Sequence, residues 1–255
     1  MKKTAQILVV LLVLVLILGS VGCGSKADTL GKIQTDGKII MGTNAEFPPF
    51  EYRDASGAVV GFDVEIAKAI AEELGVELVI EDMDFGALIG ALQSGKIDMA
   101  IAGMTVTEDR KQNVDFSVAY FDASQVMIVA ADNDSIQTTD DLVGLRIGVQ
   151  EGTTGDLEAS EVPDAEIFRF RKGIDAVVDL RNGNLDAVVI DMQPALVFVE
   201  KNDDIRMVEE FFTVEEYAIA VRKGDADLLA IIDGVIEQLK EDGTYQEIYD
   251  EFIGE

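Results

Sequence analysis

The stretch IDMAIAGMTVTEDR carries an apolar run from Ile97 into Gly103, then two threonines, and ends in Arg110. In a chain with 49 acidic and 20 basic side chains, a guanidinium beside a small-residue loop asks for a reason. A guanidinium offers a planar fork of donors that fits a carboxylate. Backbone amides around Gly103 to Thr105 favour the same anion, and Thr107 is placed as the N-cap of a helical turn. Further on, VQEGTTGD supplies Gln150, Gly152, Thr153, Thr154 and Gly155, and LDAVVID ends in Asp191. The Gly-rich loop is not a phosphate loop, because no Gly-Lys-Ser/Thr follows it. Phe47, beside two prolines in NAEFPPFEY, and Phe85, at the start of a helix, are aromatic candidates for a cleft. An arginine for an anion and an aspartate for a cation suit one small zwitterion. Arg110 would take its carboxylate and Asp191 its ammonium, with aromatic faces on either side of an aliphatic portion. Plainer roles exist for each. Arg110 can pair with Glu108, Asp109 or Asp115, a surface contact of about 0–1 kcal/mol. Asp191 can be a turn residue, and Phe47, Phe50 and Phe85 can be core.

The elements that would place these residues follow from hydrophobic periodicity. Lys38 to Met41 reads as a short strand. GFDVEIAKAIAEELG carries a helical stripe of Val64, Ala67, Ala71 and Leu74, joined by Ile66 and Ile70, and Gly75 stops it. VELVIED is a strand, FGALIGALQSG a helix, and IDMAIAG a strand again. This alternation indicates an α/β protein with mostly parallel sheets and helices on their faces. The second half repeats the scheme. IGALQSGKIDMAIAG and VVDLRNGNLDAVVID match at Leu92 and Leu180, Gly95 and Gly183, Ile97 and Leu185, and Asp98 and Asp186. Two Rossmann-like lobes of similar design are expected, with a two-strand hinge near Tyr120–Ser124 and Glu215–Ile219. The boundaries read as lobe 1 at 37–121 and 219–255 and lobe 2 at 122–218. Ligands in such sheets bind beyond the carboxyl ends of strands, which here line one cleft between the lobes.

Composition excludes several classes. The formal net charge of -29 opposes nucleic-acid binding, whose phosphates need a basic surface. Histidine is absent and there is one cysteine, so the usual general base, the Ser-His dyad and a metal centre are not expected. No cofactor is implied. Residues 1–22 read as an export signal, with Lys2 and Lys3 ahead of an apolar Ile7–Leu18 too short for a comfortable span. Cys23 follows small residues at once, in the manner of a lipoprotein signal that leaves a lipidated cysteine at the new N-terminus. The small polar residues that complete 23–36 read as a tether. The bulk of the chain is thereby expected outside the cytoplasmic membrane, anchored by lipid.

In order and with fitting spacing, GTNAEFPPFEY, GFDVEIAKAIAEELG, MDFGALIGALQSGKIDMAIAGMTVTEDRKQNVDFS, IGVQEGTTGD, LDAVVID and EDGTYQEIYDEF resemble the family 3 extracellular solute-binding proteins. The likeness runs from about Lys38 to the C-terminus. It implies a type II periplasmic-binding-protein fold and a monomeric amino-acid receptor that serves the permease of an ABC importer. It also implies roles. Phe47 and Phe85 stack on the ligand. Gly103, Thr105 and Arg110, with Thr154 from the other lobe, hold the carboxylate, Asp191 holds the ammonium, and Thr153 is a further ligand-binding residue. Asn44 stands where many such receptors have an aspartate toward the ligand side chain, and Gln150 stands at a position that varies with specificity. Two amides fit a polar side chain such as that of glutamine, and Glu46 nearby can serve a cation such as arginine. The alternative is a dehydratase-type enzyme on the same scaffold, for which Glu46 and Glu151 are the acid–base candidates.

Overall fold

A computed structural model of the chain describes residues 28–208 and 210–254. The export segment and Cys23 lie outside the described residues. Helix α1 (Thr29–Asp36) comes first. This corrects the expected tether, whose second part is helical. Asp28 caps the helix by accepting from the Gly31 amide at 2.8 Å, and Gly37 ends it in the left-handed region at φ 67°. Ile33 is fully buried, and the Thr29 hydroxyl donates to Asp225 at 2.5 Å. One apolar anchor and a cap suffice to dock a polar segment that composition alone marks as loose.

Strand β1 (Lys38–Thr43) leads to a small antiparallel sheet of β2 (Glu46–Phe47), β3 (Glu51–Arg53) and β4 (Val59–Val60). Helix α2 (Phe62–Leu74) follows, burying Val64, Ile66, Ala67, Ile70 and Ala71, before β5 (Glu77–Asp82). A short 3-10 turn, Phe85–Ala87, runs into α3 (Leu88–Ser94), then come β6 (Met99–Ala100), α4 (Glu108–Lys111) and β7 (Val114–Phe116). The long strand β8 (Phe121–Ala130) opens a second unit of β9 (Arg146–Gln150), α5 (Thr154–Ser160), β10 (Glu166–Phe170), α6 (Gly173–Arg181), β11 (Ala187–Asp191), α7 (Met192–Glu200), β12 (Ile205–Met207) and β13 (Thr213–Tyr217). Strand β14 (Ala220–Arg222), α8 (Ala226–Asp242) and α9 (Thr244–Phe252) complete the chain.

Two mixed sheets result. The first has the order β5-β1-β6-β14-β7, with β1 parallel to β5 and β6, and β14 antiparallel to its neighbours. The second has the order β10-β9-β11-β8-β12, with β9 parallel to β10 and β11. Strand β8 is antiparallel to β11, β12 and β13. The chain crosses between the sheets twice, from β7 to β8 and from β13 to β14. The crossings are bonded to each other: the Tyr120 amide donates to the Tyr217 carbonyl and the Ser117 amide to the Ile219 carbonyl, both at 2.9 Å.

The internal repeat has a physical basis. Asp98 Oδ2 accepts from the Ile40 amide and Asp186 Oδ2 from the Arg146 amide, both at 2.9 Å. In return the Asp98 amide donates to the Ile40 carbonyl, and the Asp186 amide to the Arg146 carbonyl. Gly42 lies against Ile97 and Gly148 against Leu185, so a Cβ on either glycine would come within 2.3 Å and 2.5 Å of those side chains. The aspartate thus locks the strand after the helix to β1 in the first half and to β9 in the second. The glycine lets the neighbouring branched residue sit on the sheet. Strand β1 thereby delivers Asn44, and β9 delivers Gln150, to the same edge of the molecule.

Candidate functional site

That edge is a narrow, partly enclosed pocket with about 10 Å³ of space open to a water-sized sphere. Asn44, Phe47, Phe85, Gly103, Thr105 and Arg110 line it from the first unit. Gln150, Thr153, Thr154 and Asp191 line it from the second. All ten residues singled out from the sequence therefore meet in one place. Two further residues, Glu51 and Ala102, complete the wall. Phe50, the open case, belongs to the core: it is fully buried, and its ring meets Phe62, Phe121 and Tyr217 edge-on.

Arg110 sits on α4, whose N-cap is Thr107 as expected; the Thr107 hydroxyl accepts from the Arg110 amide at 3.2 Å. The side chain is 8% exposed and does not pair with Glu108, Asp109 or Asp115. Nη1 donates to the Thr105 carbonyl at 2.7 Å, and Nη2 crosses to the Gly152 carbonyl at 3.0 Å. Its guanidinium lies over the Phe85 ring, 5.1 Å from the centroid. That is within cation–π range. Burial lowers the guanidinium from its ordinary value, against the pull of Glu215 and Asp191. Two of its five N–H groups serve carbonyls, which leaves donors for an anion.

Gly103 adopts φ +52°, and a Cβ there would lie 2.8 Å from the Phe47 ring. Its amide is spent on Asp63 Oδ2 at 2.9 Å, so this amide holds the loop in place and does not face the cavity as a free donor. Both Asp63 oxygens also accept from the Tyr120 hydroxyl at 2.9 Å, and burial raises Asp63 to about 6. The hydroxyls of Thr105 and Thr154 are likewise engaged. They donate to Glu215 Oε2 at 2.6 Å and 2.8 Å, one from each unit. What remains at Thr154 is its amide, which opens α5 and has no intrahelical acceptor.

Asp191 ends β11, is 5% exposed, and accepts a hydrogen bond from the Tyr217 hydroxyl. Burial, then the nearby Glu215, pushes its carboxyl up to about 7, against the bonds from Tyr217 and Gln125. Asn44 and Gln150 face one another: Gln150 Nε2 donates to Asn44 Oδ1 at 2.9 Å, and Asn44 Nδ2 donates to the Met83 carbonyl at 2.9 Å. At the rim, Lys172 Nζ meets Glu46 Oε1 at 2.6 Å and Arg171 pairs with Asp84. Glu46 is thus neutralised, and Glu151 is exposed, so neither acid proposed for an enzyme reading lines the cavity.

The family model of the bacterial extracellular solute-binding proteins, family 3, matches residues 39–255. The chain belongs to that family. A probable histidine-binding protein of Neisseria gonorrhoeae is 34% identical over 242 residues, covering 91% of this chain and 89% of its own. The ABC transporter glutamine-binding protein GlnH of Bacillus subtilis is 33% identical over 272 residues, covering 100% and 98%. Among solved structures, the arginine-bound form of truncated ArgBP from T. maritima superposes with a TM-score of 0.80 at 48% identity, covering 82% of this chain and 99% of that one. The two-lobed α/β architecture is the one those structures share.

Sequence reasoning missed Glu51, Asp63, Glu215 and Tyr217. Glu215 was legible, because strand alternation in TVEEY points Glu215 and Tyr217 to one face and leaves Val214 and Glu216 outward. Val214 is 84% exposed and Tyr217 fully buried. Glu51 gave no periodic signal, since it sits in a strand of three residues between aromatic neighbours.

Proposed function

We propose that the chain is an exported receptor that encloses one polar α-amino acid between its lobes and presents it to the permease of an ABC importer. One observation carries this reading: Arg110, on α4 of the first unit, and Asp191, at the end of β11 in the second, line the same pocket. In it, the α-carboxylate takes N–H groups of Arg110 and the Thr154 amide. The α-ammonium takes Asp191, and the side chain lies between Phe47 and Phe85 toward Asn44 and Gln150. Away from bulk water both charge contacts strengthen. An affinity near micromolar, about -8 kcal/mol, is within reach of two charge-assisted contacts and aromatic burial. Relatives whose names record histidine, glutamine and arginine as their ligands support an amino acid as the class.

Lobe 1 (37–121 with 219–255) and lobe 2 (122–218) move about the paired crossings, and the ligand shifts the balance toward the closed form by its preference for it. Residues 1–22 direct export, and lipidated Cys23 anchors the receptor to the membrane. The chain acts as a binding protein without turnover. Glu46 is paired with Lys172 and Glu151 is exposed, so the rival acid–base reading loses both of its candidates.

A thermal-shift screen of the twenty common amino acids on the purified protein tests the reading. A polar amino acid should raise the melting temperature in a concentration-dependent way. The bound compound should be recovered unchanged after long incubation. A screen in which no amino acid shifts the transition, or recovery of an altered product, would refute it.

A further inference from the structure

Glu215 lies half-buried on β13, the strand that leads into the second crossing. Its Oε2 accepts from the Thr105 hydroxyl of the first unit at 2.6 Å and from the Thr154 hydroxyl of the second at 2.8 Å. Gln125 Nε2, on β8, reaches the same oxygen at 3.4 Å and Thr154 Oγ1 at 3.1 Å. Oε1 accepts from the Thr213 hydroxyl at 2.7 Å, which fixes the plane of the carboxylate. A carboxylate oxygen only accepts, so each threonine spends its one hydroxyl proton on Glu215. Glu215 attracts the Arg110 guanidinium, yet the bonds of that guanidinium go to the Thr105 and Gly152 carbonyls.

Thr105 and Thr154 line a second space as well. It is an open groove with about 630 Å³ open to a water-sized sphere, and Glu215, Val214 and Lys111 belong to its wall. The two threonines are the residues common to groove and pocket, whereas Glu215 lines the groove alone. The hydroxyl–carboxylate–hydroxyl bridge therefore stands between the two spaces. Thr105 comes from one unit and Thr154 from the other, so the bridge is complete only while the units are together.

We propose that Glu215 is a positioning residue that latches the closed lobes on the hinge side of the pocket. It touches no ligand atom. By joining Thr105 to Thr154 it holds a loop from each lobe against the ligand carboxylate and shuts the passage from pocket to groove. The inference rests on the amino-acid receptor reading and deepens it. The bridge forms as the lobes meet, so it slows release of the ligand and leaves capture unchanged. The two hydroxyls act as a unit, since losing the shared acceptor frees both.

Stopped-flow tyrosine fluorescence with L-arginine and L-glutamine as probes tests the latch. In Glu215→Ala the dissociation rate should rise at least about tenfold, while the association rate stays within about twofold of wild type. Glu215→Gln, whose carbonyl can accept from the same two hydroxyls, should bring release back to within about threefold of wild type. Thr154→Val keeps its backbone amide and should also speed release. Added to Glu215→Ala, it should speed release by no more than about twofold further. An unchanged dissociation rate in Glu215→Ala overturns the inference. So does a Glu215→Gln protein that releases as fast as Glu215→Ala, which would assign the effect to the charge beside Arg110 and Asp191. Full additivity in the double variant overturns it too, by giving Thr154 an independent contact. Where the Glu215 variants do not fold, a wild-type release rate in Thr154→Val has the same force. Variants that release at the wild-type rate refute the latch alone, whereas a wild-type protein that binds neither probe refutes the receptor reading and the latch with it.

Discussion

Gln150 on the second sheet donates to Asn44 Oδ1 at the end of the first sheet, 2.9 Å away, and so joins the two lobes across the cavity. A buried hydrogen bond of this kind contributes about 0.5–1.5 kcal/mol, and losing one partner leaves the other unsatisfied. Gln150→Ala should therefore weaken amino-acid binding by about tenfold, through a less stable closed form. Small-angle scattering should show a larger radius of gyration for the ligand-free variant than for wild type. An unchanged affinity would mean that this bridge does not couple closure to binding.

Arg110→Ala should remove the grip on the α-carboxylate. Hydrogen bonds to a charged group contribute about 1.5–3 kcal/mol each, so the affinity should drop by at least about a hundredfold. Thermal melting should stay cooperative, because the residue's protein partners are two loop carbonyls, those of Thr105 and Gly152. Calorimetric affinity near the wild-type value would contradict the assignment.

The acids of the site give a pH dependence whose sign can be worked out. Burial raises Asp191 to about 7 and Asp63 to about 6 from the ordinary 3.8, and Glu51 is pushed up in the same direction. From about pH 4 to about pH 7 the folded, ligand-free protein thus holds more protons than the unfolded chain, and its stability falls as pH rises. Surface acids held low by hydrogen bonds, such as Asp141, act below that window. An ammonium beside Asp191 favours its ionised form, so binding releases a proton and tightens as pH rises toward 7. Calorimetry near pH 6 in buffers of different ionisation enthalpy should detect that release, and Asp191→Asn should reduce it. Proton uptake on binding would contradict the account.

Gly103→Ala should strain the loop twice. The residue lies at φ +52°, and the new methyl would meet the Phe47 ring at 2.8 Å. Overpacking of this kind costs about 1–3 kcal/mol. The displaced Phe47 should weaken ligand binding as well. Denaturant unfolding and calorimetry report the two effects, and a variant with unchanged stability and affinity would show that Phe47 can shift freely.

Much of this site could be read from the chain before any coordinates. Arg110, Asp191, Phe47 and Phe85 were found because each ends or follows an element whose period is plain, and the Leu-x-x-Gly-x-(Ile/Leu)-Asp repeat placed both halves in the same orientation. The roles of neighbours were harder to read. The amide of Gly103 and the hydroxyls of Thr105 and Thr154 suit an anion by type, yet they donate to Asp63 and Glu215. Both acids come from segments distant in sequence, Asp63 from the start of α2 and Glu215 from β13, and long-range pairing of this kind leaves no local pattern. Helix α1 was hidden because Leu30 and Ile33 are two apolar residues in an otherwise polar run. Its cap, Asp28, was the signal available.

The central claim is that one molecule bearing both charges is held by Arg110 on one lobe and Asp191 on the other. It is tested most directly by titrating the wild-type protein with L-arginine, with agmatine, which lacks the α-carboxylate, and with Nα-acetyl-L-arginine, which lacks the ammonium. The account predicts tight binding of arginine and a loss of at least about a hundredfold for each analogue, about 2.7 kcal/mol. Agmatine or the acetylated compound binding as tightly as arginine would contradict it.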